Sequence, residues 1–196
     1  MNKKAAAHFK KVDPILYKYV LLVGDIKTDK VKHLFEDLVS SIIGQQLSGK
    51  VADVIFARFK KLLKEKITPE GILKLSDEEI RSVGTSYAKV NSLKDLAFKV
   101  KKKEVELEKM DQLTDLQVID ELIKVKGIGP WTAEMFLMFT LEREDIFSYG
   151  DLGLRNAIKK IYGLNDPSKE DVAKIISKWS PFKTYACRIL WKSLDL

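Results

Sequence analysis

Leu122-Ile123-Lys124-Val125-Lys126-Gly127-Ile128-Gly129-Pro130-Trp131-Thr132-Ala133 reads as one helix ending, a tight turn, and a second helix opening at a proline. Two glycines let the backbone turn sharply and come near a ligand. Pro130 suits the first position of a helix, where its missing N–H is not needed. The N–H groups that follow face outward at the positive end of a helix dipole, a geometry that suits a phosphate. On spacing alone, Gly-x-Gly between helices is a weak signal that favours an ordinary helix-turn-helix junction.

Working outward, the same punctuation recurs. Thr114 with Gln117 forms a capping-box pattern ahead of Val118, Ile119, Leu122 and Ile123, and Ser76 with Glu79 forms another that runs to Gly84. Asp13-Pro14 and Thr68-Pro69 each place a capping residue before a helix-opening proline, and Gly24 is a plausible stop. From Val31, the residues Leu34, Phe35, Leu38, Val39, Ile42 and Ile43 follow the helical period and stop at Gly44. Ser48 is placed to cap a helix with the apolar face Val51, Ala52, Ile55, Phe56, Phe59, Leu62 and Leu63. Ser86 opens another, with Leu93, Leu96, Ala97 and Val100 along one side. Pro130, Asp151, Ser168 and Ser180-Pro181 mark later helix starts. The alternation of Val105 and Leu107 is short enough to be a solvated connector. The chain is therefore expected to be all-α, with about ten helices.

With 196 residues, 45% of them hydrophobic, the chain can bury a core without staples. No apolar run reaches the roughly 18 residues of a membrane span, and the start, Met1-Asn2-Lys3-Lys4-Ala5, lacks a secretory apolar core, so a soluble intracellular protein is expected. A single cysteine, Cys187, excludes an internal disulfide and a zinc-finger set. Two histidines, His8 and His33, leave too few soft ligands for the usual transition-metal sites and supply a classical hydrolase poorly. Carboxylates, amides and hydroxyls remain for polar chemistry. The 35 Lys and Arg outnumber the 28 Asp and Glu, a net charge of +7 that attracts polyanions and equally describes a lysine-rich solvated surface.

Three stretches together narrow the reading. Gly127-Ile128-Gly129-Pro130-Trp131-Thr132-Ala133 is followed about twenty residues on by Phe147-Ser148-Tyr149-Gly150-Asp151-Leu152-Gly153-Leu154. Upstream stands Ile42-Ile43-Gly44-Gln45-Gln46-Leu47-Ser48-Gly49-Lys50-Val51-Ala52, and near the end Trp179-Ser180-Pro181-Phe182-Lys183-Thr184-Tyr185-Ala186. In this order they resemble the helix-hairpin-helix DNA glycosylases, most of all the 3-methyladenine DNA glycosylase II branch.

The resemblance implies a two-subdomain helix-hairpin-helix glycosylase fold with the active site in the cleft between subdomains. The middle subdomain would span 30–140, with the hairpin at 114–140; the two chain ends, 1–29 and 141–196, would form the other. Asp151 matches the family's catalytic aspartate, and its bland alternative is to cap the helix at Leu152. A carboxylate beside C1′ stabilises the oxocarbenium-like sugar of a breaking N-glycosidic bond. The target base must first leave the stack, with Gln46 or Leu47 as the candidate wedge that fills the gap, though Leu47 could equally be core. Gly127, Ile128, Gly129 and Thr132 would hold the DNA backbone. Trp131 and Trp191 match base-pocket positions, where an indole face attracts a cationic alkylated purine; each could also be plain core, as Trp179 is taken to be. Met135 stands where some relatives carry an aromatic residue, and Tyr149, Met138 and Phe139 are further candidates for the cavity wall.

No cofactor is required by this reading. The resemblance does suggest a structural monovalent cation, K⁺ or Na⁺, on the backbone carbonyls of Ile123, Val125 and Ile128, with no metal held by side chains. Lyase members of the superfamily carry a nucleophilic lysine where this chain has Trp131, and an indole cannot form the Schiff base that β-elimination needs. Lys126 lies before the turn and does not match that position. The expected activity is thus monofunctional excision of alkylated purines from damaged double-stranded DNA, by a monomer with no membrane association, in a cytoplasm or nucleus. The alternatives are a glycosylase of the same fold for oxidised or deaminated bases, and a noncatalytic helix-hairpin-helix DNA-binding module.

Overall fold

Short polar side chains that accept a backbone N–H three residues on start most of the helices of this protein. In the computed structural model, which describes residues 3–26 and 33–196, these are α1 (Lys3–Val12), α2 (Pro14–Val23), α3 (Leu34–Gly44), α4 (Gly49–Leu62), α5 (Pro69–Lys74) and α6 (Asp77–Ser82). Then come α7 (Tyr87–Lys101), a 3-10 helix (Leu107–Gln112), α8 (Asp115–Leu122), α9 (Pro130–Phe139), α10 (Leu152–Tyr162), α11 (Lys169–Ser177) and α12 (Lys183–Ser193). Asp13 accepts Leu16 N–H at 3.0 Å and Thr68 accepts Gly71 N–H at 3.1 Å. Ser76 with Glu79 and Thr114 with Gln117 form full capping boxes. Each such cap stabilises its helix by about 1 kcal/mol.

Four expectations need correction. Twelve α-helices and a 3-10 helix stand among the described residues, not about ten helices. The unread α1 lies in a lysine-rich start whose only deeply buried residues are Ala5 and Phe9, a pair too sparse to betray a period. The Val105-Leu107 stretch leads into the 3-10 helix, which buries Leu107 and Met110 three residues apart. Ser48 occupies the N-cap of α4 without a side-chain bond, and Val51 on the supposed apolar face is exposed. Ser180-Pro181 does not open α12, which follows Phe182; Ser180 Oγ instead donates to Asp145 Oδ2 at 2.9 Å. Val31, and with it the expected boundary at residues 29–30, lies outside the described residues. No strand occurs among the described residues, and no helix there is long and apolar enough to cross a membrane.

The chain divides into two compact units, Met1–Lys30 with Glu142–Leu196, and Val31–Leu141. In the first, α2 packs on α1, α10 and α12. Its centre is a buried carboxylate: Asp13 Oδ2 accepts Tyr162 Oη at 2.6 Å and Trp179 Nε1 at 2.8 Å. A buried ion must be hydrogen-bonded in this way to be tolerated. Burial, and then the Asp13 carboxylate, hold the Tyr162 phenol protonated well above its usual range. Trp179 is fully buried, a core residue as expected. His8 Nε2 donates to the Lys178 carbonyl at 2.8 Å, a structural role.

In the second unit α7 is the central helix, packed by α3, α5 and α6, with α3 on α4 and α8 on α9. Leu38, Val39, Ile42 and Ile43 of α3 and Val90, Leu93, Leu96 and Ala97 of α7 are wholly buried. At roughly 1.5–3 kcal/mol for each large apolar side chain, these two helices supply much of the unit's stability.

Candidate functional site

Asp151 stands at the N-cap of α10 in the first unit, so the capping reading is correct as local structure. Its Oδ1 accepts Leu154 N–H at 2.7 Å and also the indole Nε1–H of Trp191, from α12, at 3.0 Å. Two donors on one oxygen from two helices fix the plane of a carboxylate that is only 9% exposed. Gly153 makes room for this pair: a Cβ there would lie 3.1 Å from Asp151 Oδ1 and 3.2 Å from the Trp191 ring.

The anchoring of α12 is itself polar. Thr184 Oγ1 donates to the Arg143 carbonyl at 2.6 Å and accepts Ile146 N–H at 3.1 Å, while the Lys183 ammonium pairs with Asp145 at 2.9 Å. This explains why Trp179–Ala186 and the stretch after Arg143 belong to one arrangement. Trp191 is half-buried, with its N–H edge on Asp151, a contact between residues forty positions apart that no local pattern signals. Tyr149 is 37% exposed, with the Lys169 ammonium 5.2 Å from its ring centre.

In the second unit the turn between α8 and α9 is built around Gly127, at φ +79°. A Cβ on Gly127 would stand 2.2 Å from Ser92 Oγ, so the residue is required by packing as well as by backbone conformation. Gly129, the N-cap of α9, differs: its φ is −99° and nothing lies within 4 Å of an added Cβ. The first bond within α9 runs from Ala133 N–H to the Gly129 carbonyl, so the N–H groups of Trp131 and Thr132 precede it at the positive end of the helix. Ile128 is buried, as is Thr132, whose hydroxyl accepts Gln45 Nε2 at 3.3 Å. What these two residues can present to a ligand is therefore backbone.

Trp131, in the first turn of α9, is 44% exposed and not core. Met135, one helical turn on, is half-buried, and Phe139 is exposed. Met138 is fully buried and lines no open surface, which corrects its inclusion among cavity-wall candidates.

The loop between α3 and α4 carries Gln46 at φ +60° and Leu47 at 36% exposure, so Leu47 is not plain core. Positive φ in a non-glycine residue stores strain that neighbours must sustain. Gln45, which the sequence did not single out, donates through Nε2 to the Gly127 carbonyl at 2.9 Å. Lys89 donates to the carbonyls of Ile43 and Gln45, both at 2.8 Å, and burial draws its ammonium below the usual lysine range.

Residues 39–182 match the family described as HhH-GPD superfamily base excision DNA repair protein. The DNA-3-methyladenine glycosylase 1 of Schizosaccharomyces pombe is 34% identical over 200 residues, covering 98% of this chain and 88% of that protein. A solved structure of the Schizosaccharomyces pombe 3-methyladenine DNA glycosylase in complex with abasic DNA aligns with a TM-score of 0.89 and 34% identity, over 99% of this chain and 98% of that one. The crystal structure of the DNA-3-methyladenine glycosidase from Bacillus halodurans aligns with a TM-score of 0.86 and 32% identity, over 98% of this chain and 89% of that one. The family match begins within α3 and ends just before α12, taking in the Gln46-Leu47 loop, the Gly127–Gly129 turn and Asp151: this chain belongs to the HhH-GPD superfamily of base excision DNA repair proteins.

Proposed function

We propose that this chain is a monofunctional DNA glycosylase that flips alkylated purines, of the 3-methyladenine and 7-methylguanine type, out of duplex DNA and hydrolyses their N-glycosidic bond. The observation that carries the proposal is the buried Asp151 carboxylate, fixed by Leu154 N–H and Trp191 Nε1. The helix cap accounts for the Leu154 donor; the second donor, from Trp191 on another helix, is more than a cap requires and favours a catalytic carboxylate over a noncatalytic binding module facing a polyanion.

The chemistry follows from the charge that develops. As C1′–N breaks, its electron pair passes to the base and positive charge grows on the sugar; a preorganised carboxylate in a poorly solvated place stabilises that charge most. Asp151 also orients the water that attacks C1′ and takes its proton. A cationic alkylpurine departs as a neutral base, so the protein needs no acid on the leaving group. The exposed Trp131 face offers such a base stacking and cation-π attraction. Having no amine, Trp131 cannot form a Schiff base, and the product is an uncut abasic strand.

The N–H groups that open α9 hold the DNA backbone through a phosphate. Gln46 or Leu47, at an exposed strained tip, fills the gap left by the flipped base. The carbonyls of Ile123, Val125 and Ile128 are three neutral hard oxygens in one turn, a donor set that fits K⁺ or Na⁺; such an ion would add positive charge beside the phosphate. The protein would act as a monomer wherever the genome lies, in cytoplasm or nucleus.

Free-base release from duplexes bearing 3-methyladenine, 7-methylguanine, hypoxanthine, uracil or 8-oxoguanine tests the reading. Asp151→Asn keeps the cap acceptor and removes the charge, so it should bind duplex normally and lose base release by about 100-fold or more in single turnover. Near-normal release by this variant, or release of 8-oxoguanine alone by the parent, would overturn the assignment.

A further inference from the structure

Helix α7 presents polar side chains at positions 89, 92, 95 and 99, spaced by three, three and four residues and so aligned along one stripe. Every one of them engages a loop of the same unit. Lys89 holds the carbonyls of Ile43 and Gln45, at the end of α3. Ser92 Oγ fills the space beside Gly127. Asp95 Oδ2 accepts Lys126 N–H at 2.8 Å and the Lys99 ammonium at 2.8 Å, and Lys99 donates in addition to the Lys124 carbonyl. Gln45 then joins the two loops directly, through the Gly127 carbonyl 82 residues away.

Nearly all these bonds end on backbone atoms, so they set where the loops sit and leave their side chains unengaged by the stripe. The half-buried Lys89 ammonium satisfies two carbonyls at the C-terminal end of α3, acceptors that have no partner within the helix, and so fixes the backbone from which the loop departs. Burial works against the Asp95 carboxylate, yet the Lys99 ammonium and Lys126 N–H hold it below the usual carboxylate range. The strained Gln46 sits between Gln45, whose carbonyl is held by Lys89, and Leu47, whose N–H donates to Gly44 at 3.1 Å.

We propose that the α7 stripe and Gln45 lock the Gln46-Leu47 loop and the Gly127–Thr132 turn into one rigid register, making Lys89 and Gln45 positioning residues for base flipping. The proposal rests on the reading above of these two segments as wedge and phosphate grip. Extruding a base means unstacking and unpairing it, and a wedge can drive that only if it does not recoil relative to the grip on the strand. The fixed register supplies that reaction force.

Gln45→Met and Lys89→Met keep side-chain length and remove the donors, and Lys89→Arg restores them. In the DNA-free protein, amide hydrogen exchange over residues 124–133 should quicken about tenfold in Gln45→Met, with Leu93 and Leu96 of the core unchanged. In single turnover, both Met variants should release base about tenfold more slowly when the lesion is fully paired, yet within about twofold of the parent when it is already unpaired in a one-nucleotide bulge. Lys89→Arg should recover most of the loss. Equal slowing on both substrates, or unchanged exchange at 124–133 in Gln45→Met, would overturn the proposal. If the parent releases no base from either duplex, the glycosylase reading falls, and the exchange measurement alone still decides whether the loops are coupled.

Discussion

The two glycines of the hairpin should respond very differently to the same methyl group. At Gly127, φ +79° costs alanine about 1–2 kcal/mol, of which the stiffer unfolded chain returns about 0.5–1 kcal/mol. The new Cβ would lie 2.2 Å from Ser92 Oγ and 3.1 Å from its Cβ, so Ser92 must turn and lose its 3.0 Å bond to the Ala88 carbonyl, about 1 kcal/mol. Residual overpacking adds about 1 kcal/mol. Gly127→Ala should therefore be destabilised by about 2–3 kcal/mol, lowering a urea midpoint by about 1 M. Gly129→Ala meets nothing within 4 Å and has an ordinary φ; its lost N-cap preference and gained chain stiffness nearly cancel, leaving stability within about 0.5 kcal/mol. Its methyl group instead projects into open space, and under the proposed phosphate grip that space receives the DNA backbone, so affinity should fall several-fold for damaged and undamaged duplex alike. Urea unfolding followed by circular dichroism, with duplex titration of both variants and of Gly127→Ala/Ser92→Ala, checks each step. The double variant should recover about 1 kcal/mol, because the two changes share one contact. Equal stability of the two single variants, or strictly additive losses in the double, would refute the packing argument; unaltered DNA binding by Gly129→Ala would refute the phosphate grip.

Trp191→Phe keeps a ring beside Gly153 but removes the Nε1 donor on Asp151, a hydrogen bond to a charged group of about 1.5–3 kcal/mol when fully expressed; single-turnover base release should fall about tenfold with duplex affinity unchanged. Trp131→Ala should depress excision of cationic alkylpurines about tenfold more than of neutral bases, from a lost cation-π contribution of about 1–2 kcal/mol. Trp131 is 44% exposed, so the substitution also removes the packing of the rest of its ring; urea unfolding of the variant, run beside the kinetics, separates that loss from the change in lesion preference. Borohydride treatment of the parent on lesion DNA should trap no covalent adduct, and an adduct would place an amine at the reacting carbon that Trp131 cannot provide.

Much of the architecture is local in origin and hence legible in the residue string. Capping boxes at Ser76 and Thr114, the acceptors Asp13, Thr68 and Asp151, and prolines at first helical positions act within three residues, so the chain displays them in order. The family is legible for a related reason: Asp151, the Gly127–Ala133 turn and the Gln45–Leu47 loop keep their order and separation along the sequence. Helix α1 and the 3-10 helix were not legible, because short elements in lysine-rich surroundings bury too few residues to show a period.

The sequence by itself determined the residue types available for chemistry: a carboxylate at Asp151, an indole at Trp131 just after the turn, and glycines within the turn. Only the tertiary structure decided what each of them touches. That Trp191 aims its N–H at Asp151, that Gly127 is demanded by Ser92 while Gly129 is not, that Thr132 is spent on Gln45, and that α7 ties two loops together all depend on contacts between residues tens of positions apart. A hydrogen bond is settled by tenths of an ångström and by direction, and those are set by packing of helices far apart in the chain, which no spacing of letters encodes.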